Sequence, residues 1–154
     1  MNTVWNRFHI GELLRNPGWT WKALNWKYAM SATSKYVTIA AVDQGDKLEG
    51  LVAVYPDKQN AIVDVGFLAT APWNYKPHRR RAGVGPALLS FSVRLSQLLG
   101  FYGKIRLSCL PTAISFYVGH GLIPTGATDA DGYYIYELPP AEVAKFLAGI
   151  TVIP

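Results

Sequence analysis

The chain has 154 residues, half of them hydrophobic and 16% charged, which excludes a disordered chain and allows one domain with a real core. A single cysteine, Cys109, excludes an internal disulfide and argues against a cysteine-based metal site, so no metal is expected. The net charge of +5 and an isoelectric point near 9.4 fit three cases: an ordinary mildly basic cytoplasmic protein, a phosphorylated cofactor, or a nucleic-acid partner.

Residues 1–35 are rich in tryptophan. Trp19, Trp21, Leu24, Tyr28 and Met30 stand at helical spacing, and Asn16-Pro17-Gly18 breaks the run. One or two short helices are expected there. The start, Met1 to Ile10, scatters its charge and polarity and does not read as an export signal.

Three strand-like runs follow, Tyr36 to Val42, Lys47 to Tyr55 and Ala61 to Thr70. The turns between them are short, which predicts an antiparallel meander. Next comes Arg79-Arg80-Arg81-Ala82-Gly83-Val84-Gly85, and then a helix over Val84 to Leu99. Val84, Leu88, Phe91, Leu95 and Leu98 predict its apolar face, with Ala87, Ser90, Arg94 and Gln97 opposite. Gly100 suits its C-terminal cap. Lys104 to Leu110 alternates as a strand.

Pro111 suits the first turn of a helix in which Ala113, Phe116 and Tyr117 share a face, and Gly119 and Gly121 end it. Leu122 to Thr125 and Tyr133 to Leu138 read as strands, and Ala141 to Leu147 as a last helix. Leu107 to Thr128 carries no formal charge, but Pro111, Pro124 and the glycines break it into short elements rather than a membrane span. The expected fold class is α/β (α+β). It is a single domain over residues 1–154, with a mixed, mostly antiparallel sheet of about six strands flanked by helices.

The run from Arg79 to Gly85 stands between a strand and a helix, an arrangement that holds phosphate. Glycines allow the backbone N–H groups close approach to an anion. The helix points its positive end at the same spot. Arginine adds fixed charge and forked donors.

Two motifs carry a resemblance to a known family. One reads Gln or Arg, two residues, Gly, one residue, Gly or Ala, and Arg80-Arg81-Ala82-Gly83-Val84-Gly85 matches every fixed position. The other is a short helix with Ala, two residues, an aromatic and Tyr, then Gly and an apolar strand. Ala113-Ile114-Ser115-Phe116-Tyr117 followed by Gly121-Leu122 matches it. Over roughly residues 36 to 138 the chain resembles the GNAT superfamily of acyl-CoA-dependent N-acyltransferases.

The resemblance implies a sheet whose central parallel strands splay apart, and an N-acetyltransferase that uses acetyl-CoA. Arg79, Arg80, Arg81, Ala82, Gly83, Val84 and Gly85 would hold the pyrophosphate of CoA. Phe67, Leu68, Ala69 and Thr70 would pair with the pantetheine arm, and the N–H near Leu68 would stabilise the oxyanion. Ser115 and Phe116 would complete the cofactor site. Tyr117 matches the general acid that protonates the leaving thiolate, and Asp64 stands where some members carry a carboxylate base.

Glu49 and His120 are further base candidates. The ordinary readings are a packed tyrosine, a solvated strand aspartate and a turn histidine. Trp73, Asn74, Tyr75 and His78 would line the acceptor site or pack over the cofactor; Trp26, with Trp19, Trp21 and Tyr28, would wall the acceptor pocket, although aromatic core is the simpler reading of these four.

Three features depart from the family pattern. Pro86 removes one N–H from the phosphate loop. Leu110 stands where many members place an asparagine. The segment Ala71 to His78 lengthens the connection to the loop. The implied acceptor is a primary amine on a small molecule, a peptide or an aminoacyl-tRNA, and a homodimer is possible.

Two other classes compete. One is a nucleic-acid-binding module using Arg79 to Arg81, Lys76 and Arg94, although no recognition helix, zinc or RNA-sheet motif is present. The other is a catalytically silent acyl-CoA-binding regulatory domain. A cytoplasmic location with no membrane contact is expected in each case.

Overall fold

The computed structural model describes residues 33–45, 47–71, 74 and 82–149. The helices expected over 1–35 fall outside these residues, except for the last three positions.

Three strands come first, β1 (Val37–Val42), β2 (Leu48–Asp57) and β3 (Ile62–Thr70), followed by the helix α1 (Val84–Leu98). Strand β4 (Ile105–Ser108) leads through a 3-10 turn into α2 (Ile114–Gly119). Strands β5 (Ile123–Thr128) and β6 (Tyr134–Leu138) precede the short helix α3 (Val143–Ala148). The order matches the expected one from β1 onward. The six strands form one mixed sheet in the order β1-β2-β3-β4-β6-β5. β3 and β4 are parallel, as a β-α-β crossover requires. β1–β2, β4–β6 and β5–β6 are antiparallel.

The chain divides into two compact units. The first takes in Met1–Val54, Phe67–Leu89 and Thr151–Pro154. Its core holds Ile39, Ala40, Leu48, Leu51, Val52, Val54 and Leu88. The second takes in Tyr55–Gly66 and Ser90–Ile150. Its core holds Ile62, Val63, Ile105, Leu107, Leu122, Leu138 and Phe146. Each fully buried leucine or isoleucine contributes about 1.5–3 kcal/mol over leaving it exposed.

The hydrophobic spacing predicts the inward face of helix α1 in part. Val84 and Leu88 are buried and Arg94 and Gln97 exposed, as expected, but Leu98 is 85% exposed, and Ala87, Leu89, Ser92, Val93 and Ser96 are buried as well. The serines are small enough for close helix packing, and the Ser96 hydroxyl donates to the Lys104 carbonyl at 2.8 Å. The burial cost of that hydroxyl is thereby met. Strand β4 also stops two residues short of the expected Leu110, which serves as the N-cap of the 3-10 turn opened by Pro111.

Candidate active site

The start of α1 lies in the first unit. Gly83 has φ +82, the left-handed region that favours glycine. Its carbonyl accepts the Ala87 N–H at 3.0 Å, the first helical bond of α1. The first N–H groups of any α-helix have no partner within it. Here these belong to Val84 and Gly85, since Pro86 has none. Ala82 is exposed and Gly83 half-buried, whereas Val84 and Gly85 behind them are buried. Two amides with a helix dipole behind them suit an anion. Arg79, Arg80 and Arg81 lie outside the described residues, as do Trp26, Trp73, Tyr75, Lys76 and His78.

Strand β3 approaches this turn. Its parallel ladder to β4 runs through Val63↔Ile105, Asp64↔Arg106 and Val65↔Leu107, and ends there. The strand continues for five residues, to Thr70. Ile62, Val63 and Val65 are buried, whereas Phe67, Leu68, Ala69 and Thr70 are half-buried. An interior strand that leaves its neighbour and gains exposure offers backbone for an extended ligand. The Phe67 ring packs edge-on against Tyr36, with centroids 5.5 Å apart.

Tyr117 lies in the second unit, on α2. It is 9% exposed, and its ring meets that of Phe116 edge-on at 5.1 Å. Ser115 on the same helix is exposed. Burial pushes the Tyr117 phenol well above its ordinary value, and the nearby Cys109 adds to the rise. Cys109 ends the β4 segment, with its N–H donating to the Tyr134 carbonyl at 2.9 Å. Burial pushes its thiol up to about 11. A phenol in such surroundings keeps its proton throughout the neutral range and can give it only to a strong base. His120 caps α2, its Nδ1 lying 2.7 Å from the Phe116 carbonyl oxygen. That is the place of a turn residue.

Asp64 is held on both oxygens by one guanidinium. Arg106 Nε donates to its Oδ1 at 2.7 Å and Nη2 to its Oδ2 at 2.9 Å. The same Nη2 reaches Asp57 Oδ2 at 3.2 Å. The pairing follows from the register, since Asp64 and Arg106 stand side by side on β3 and β4. To accept a proton, either Asp64 oxygen must release one of these bonds. The Asp57 carboxyl lies below its ordinary value because the Asn60 side chain and backbone N–H both donate to it, with Arg106 adding to the effect. The Arg106 guanidinium is raised chiefly by Asp64.

Arg106→Met is expected to destabilise the protein by about 1–2 kcal/mol at pH 7, allowing for solvent screening of a half-exposed cluster. The folded pKa of Asp57 is depressed, so its contribution is complete above the ordinary carboxylate value. It is lost as pH falls through the lowered one. Urea unfolding of both proteins should therefore differ at pH 7, and the part of the difference that Asp57 carries should begin to shrink only as pH falls below about 4.

Asn74 and Glu49 are buried together in the first unit, at 6% and 3% exposure. The Asn74 side-chain amide donates to Glu49 Oε2 at 2.7 Å and to the Glu49 carbonyl at 3.0 Å. Asn74 was expected on the acceptor wall, but its amide is spent on strand β2. Glu49, a second base candidate, is likewise engaged.

No protein-family model matches the sequence, and no curated protein matches it. Solved structures do match. GCN5 of Tetrahymena superimposes with a TM-score of 0.57 at 16% identity, covering 75% of this chain and 74% of that one. The PaiA N-acetyltransferase of Thermoplasma acidophilum, solved in complex with coenzyme A, gives 0.53 at 18% identity, covering 87% and 79%. A GNAT-family acetyltransferase of Staphylococcus aureus Mu50 gives 0.51 at 14% identity, covering 67% and 66%. The chain therefore shares the overall fold of these acetyltransferases.

Proposed function

We propose that the protein is an N-acyltransferase that takes an acetyl group from acetyl-CoA and gives it to a primary amine. The observation that carries this reading is the shared fold with acetyltransferases, one of them solved with coenzyme A. The two sequence motifs fall at the corresponding elements, the start of α1 and the helix α2.

The residues present fit the donor. Val84 and Gly85 offer amides at a helix start opened by a left-handed glycine, which suits a pyrophosphate. The half-exposed end of β3, Phe67 to Thr70, suits the amide-bearing pantetheine arm. Arg79, Arg80 and Arg81 add charge from the same stretch of sequence. When bound, acetyl-CoA supplies the activated acetyl group.

The protein's own part is to bind, orient and move protons. The Leu68 N–H would stabilise the oxygen that gains charge during transfer. Tyr117 holds the proton that the departing thiolate needs. An acceptor ammonium has a reference pKa of about 10.4 and must lose a proton before it attacks. Asp64 takes that proton, with the opening of one of its bonds to Arg106. Ser115 and Phe116 flank the thiol end of the site. Trp73, Tyr75 and Trp26 carry the acceptor side. The acceptor is a small-molecule amine, a peptide or an aminoacyl-tRNA. No helix among the described residues is long and apolar enough to cross a membrane, and we place the enzyme in the cytoplasm, with a homodimer allowed.

Purified protein incubated with acetyl-CoA and a panel of amines should release free thiol and yield an acceptor heavier by one acetyl group, read by mass. Cofactor binding without thiol release across the panel would point to a silent acyl-CoA-binding domain. Salt-steep RNA binding without cofactor binding would point to a nucleic-acid module.

A further inference from the structure

Glu49 is the extra residue of a β-bulge. Along the β1–β2 ladder Ala41 faces Gly50 and Val42 faces Leu48, so Glu49 has no partner position on β1. A bulge takes a residue out of the ladder and re-aims its side chain. Here both the carbonyl and the carboxylate of Glu49 are turned to the chain that leaves β3. The carbonyl accepts the Ala71 N–H at 2.8 Å and the Asn74 amide at 3.0 Å. The carboxylate accepts the same amide at 2.7 Å. The Asn74 N–H closes the turn onto the Ala71 carbonyl at 2.8 Å.

The next residue of β2 receives the other end of the same connection. A Cβ added at Gly50 would lie 2.9 Å from Val84 Cγ1, 2.9 Å from Leu88 Cδ1 and 3.0 Å from the Ala69 carbonyl oxygen. Only glycine lets the first turn of α1 sit that close to β2. Two consecutive residues of one strand thus hold the chain where it leaves β3 and where it enters α1. All of these contacts lie within the first unit. A carboxylate 3% exposed is costly to bury.

We infer that the Glu49 bulge and Asn74 form a positioning device for the phosphate end of the donor site. By fixing both ends of the connection they set where the Val84 and Gly85 N–H groups point. This role rests on the acyl-transfer reading, and it gives Asn74 a part in donor binding rather than in the acceptor wall. It acts on the diphosphate of the donor and not on the arm, which makes it separable from a general loss of structure.

The test compares CoA with pantetheine, which has the arm but lacks the diphosphate, by calorimetry and ligand-observed NMR. Asn74→Ala should raise the Kd for CoA about tenfold or more and leave that for pantetheine unchanged. Glu49→Gln keeps an oxygen for the Asn74 amide and should hold CoA affinity within about threefold of wild type. Should Asn74→Ala fail to fold, Glu49→Ala removes the carboxylate but keeps the carbonyl bonds. It should raise the CoA Kd about threefold or more, again with pantetheine unchanged. Unchanged CoA binding in folded Asn74→Ala or Glu49→Ala, or equal losses for CoA and pantetheine, would overturn the positioning role alone. Wild-type protein that binds neither compound would overturn the acyl-transfer reading itself.

Discussion

Gly83→Asp lowers the affinity for CoA about 100-fold or more, while the protein stays folded. The first part is electrostatic. A carboxylate at the helix start stands where the donor's diphosphate is placed. Two like charges about 4 Å apart repel by about 4 kcal/mol at an effective dielectric constant near 20. Two-thirds of that is enough for a 100-fold loss, since each factor of ten is about 1.4 kcal/mol. The same carboxylate also caps the free N–H groups of α1 and competes for the donors the anion needs.

The second part concerns stability. Gly83 sits at φ +82, and a residue with a Cβ is strained there by about 1–2 kcal/mol. Aspartate tolerates this region better than most residues, and an N-cap carboxylate returns about 1 kcal/mol through the cap and the helix dipole. Thermal unfolding should therefore shift little while calorimetry shows the loss. Gly83→Asn repeats the strain and the cap without the charge and should lose only about tenfold in affinity. Equal CoA binding by Gly83→Asp and wild type would remove the pyrophosphate from this helix start.

Tyr117→Phe lowers kcat about 100-fold and leaves the Kd for acetyl-CoA unchanged, the pattern for loss of a proton donor. A phenol pushed above its ordinary value is a poor acid toward a thiol of pKa about 8.5 in water. The surroundings answer this objection. Cys109, beside Tyr117, has its thiol pushed up to about 11 by burial. A thiolate released into the same low-dielectric surroundings is a correspondingly stronger base, so the two shifts largely offset each other. The raised phenol also fixes the pH profile. Tyr117 stays protonated through pH 10, so the wild-type rate should show no alkaline fall from this group below that value. Equal turnover by Tyr117→Phe and wild type would leave the residue a packing role against Phe116.

Much of this was legible because it is local. The left-handed glycine, the proline that removes a donor and the Phe116-Tyr117 pair are short patterns, and each sits on the element expected for it. The order of elements followed from turn residues and alternation in the same way. What escaped depends on distance or on size. The Asp64–Arg106 pair joins residues 42 apart in sequence and exists only through the β3–β4 register. The Glu49 bulge interrupts an alternation that reads as regular in the sequence, because Leu48 and Gly50 are both buried whichever way the strand turns. Hydrophobic periodicity found Val84 and Leu88 but missed the buried Ser92 and Ser96. It counts apolarity and gives no weight to small serines that pack closely, one of which, Ser96, returns its hydroxyl to the backbone.

Asn74 shows how this bears on function. As a polar residue in a loop between a strand and a phosphate motif, it resembled a contact for substrate. It is buried, and its amide is bonded to Glu49. The sequence signal for it was Glu49, a carboxylate in the otherwise apolar first half of β2, Leu48 to Val54.

The central claim is that this chain binds an acyl-CoA donor through the start of α1. Calorimetric titration of the 154-residue protein with CoA tests it most directly. A single saturable site with Kd of about 1–100 μM, weakened by Gly83→Asp at unchanged thermal stability, is the predicted result. No binding to folded wild-type protein at about 1 mM CoA, a free-energy limit near −4 kcal/mol, would contradict it.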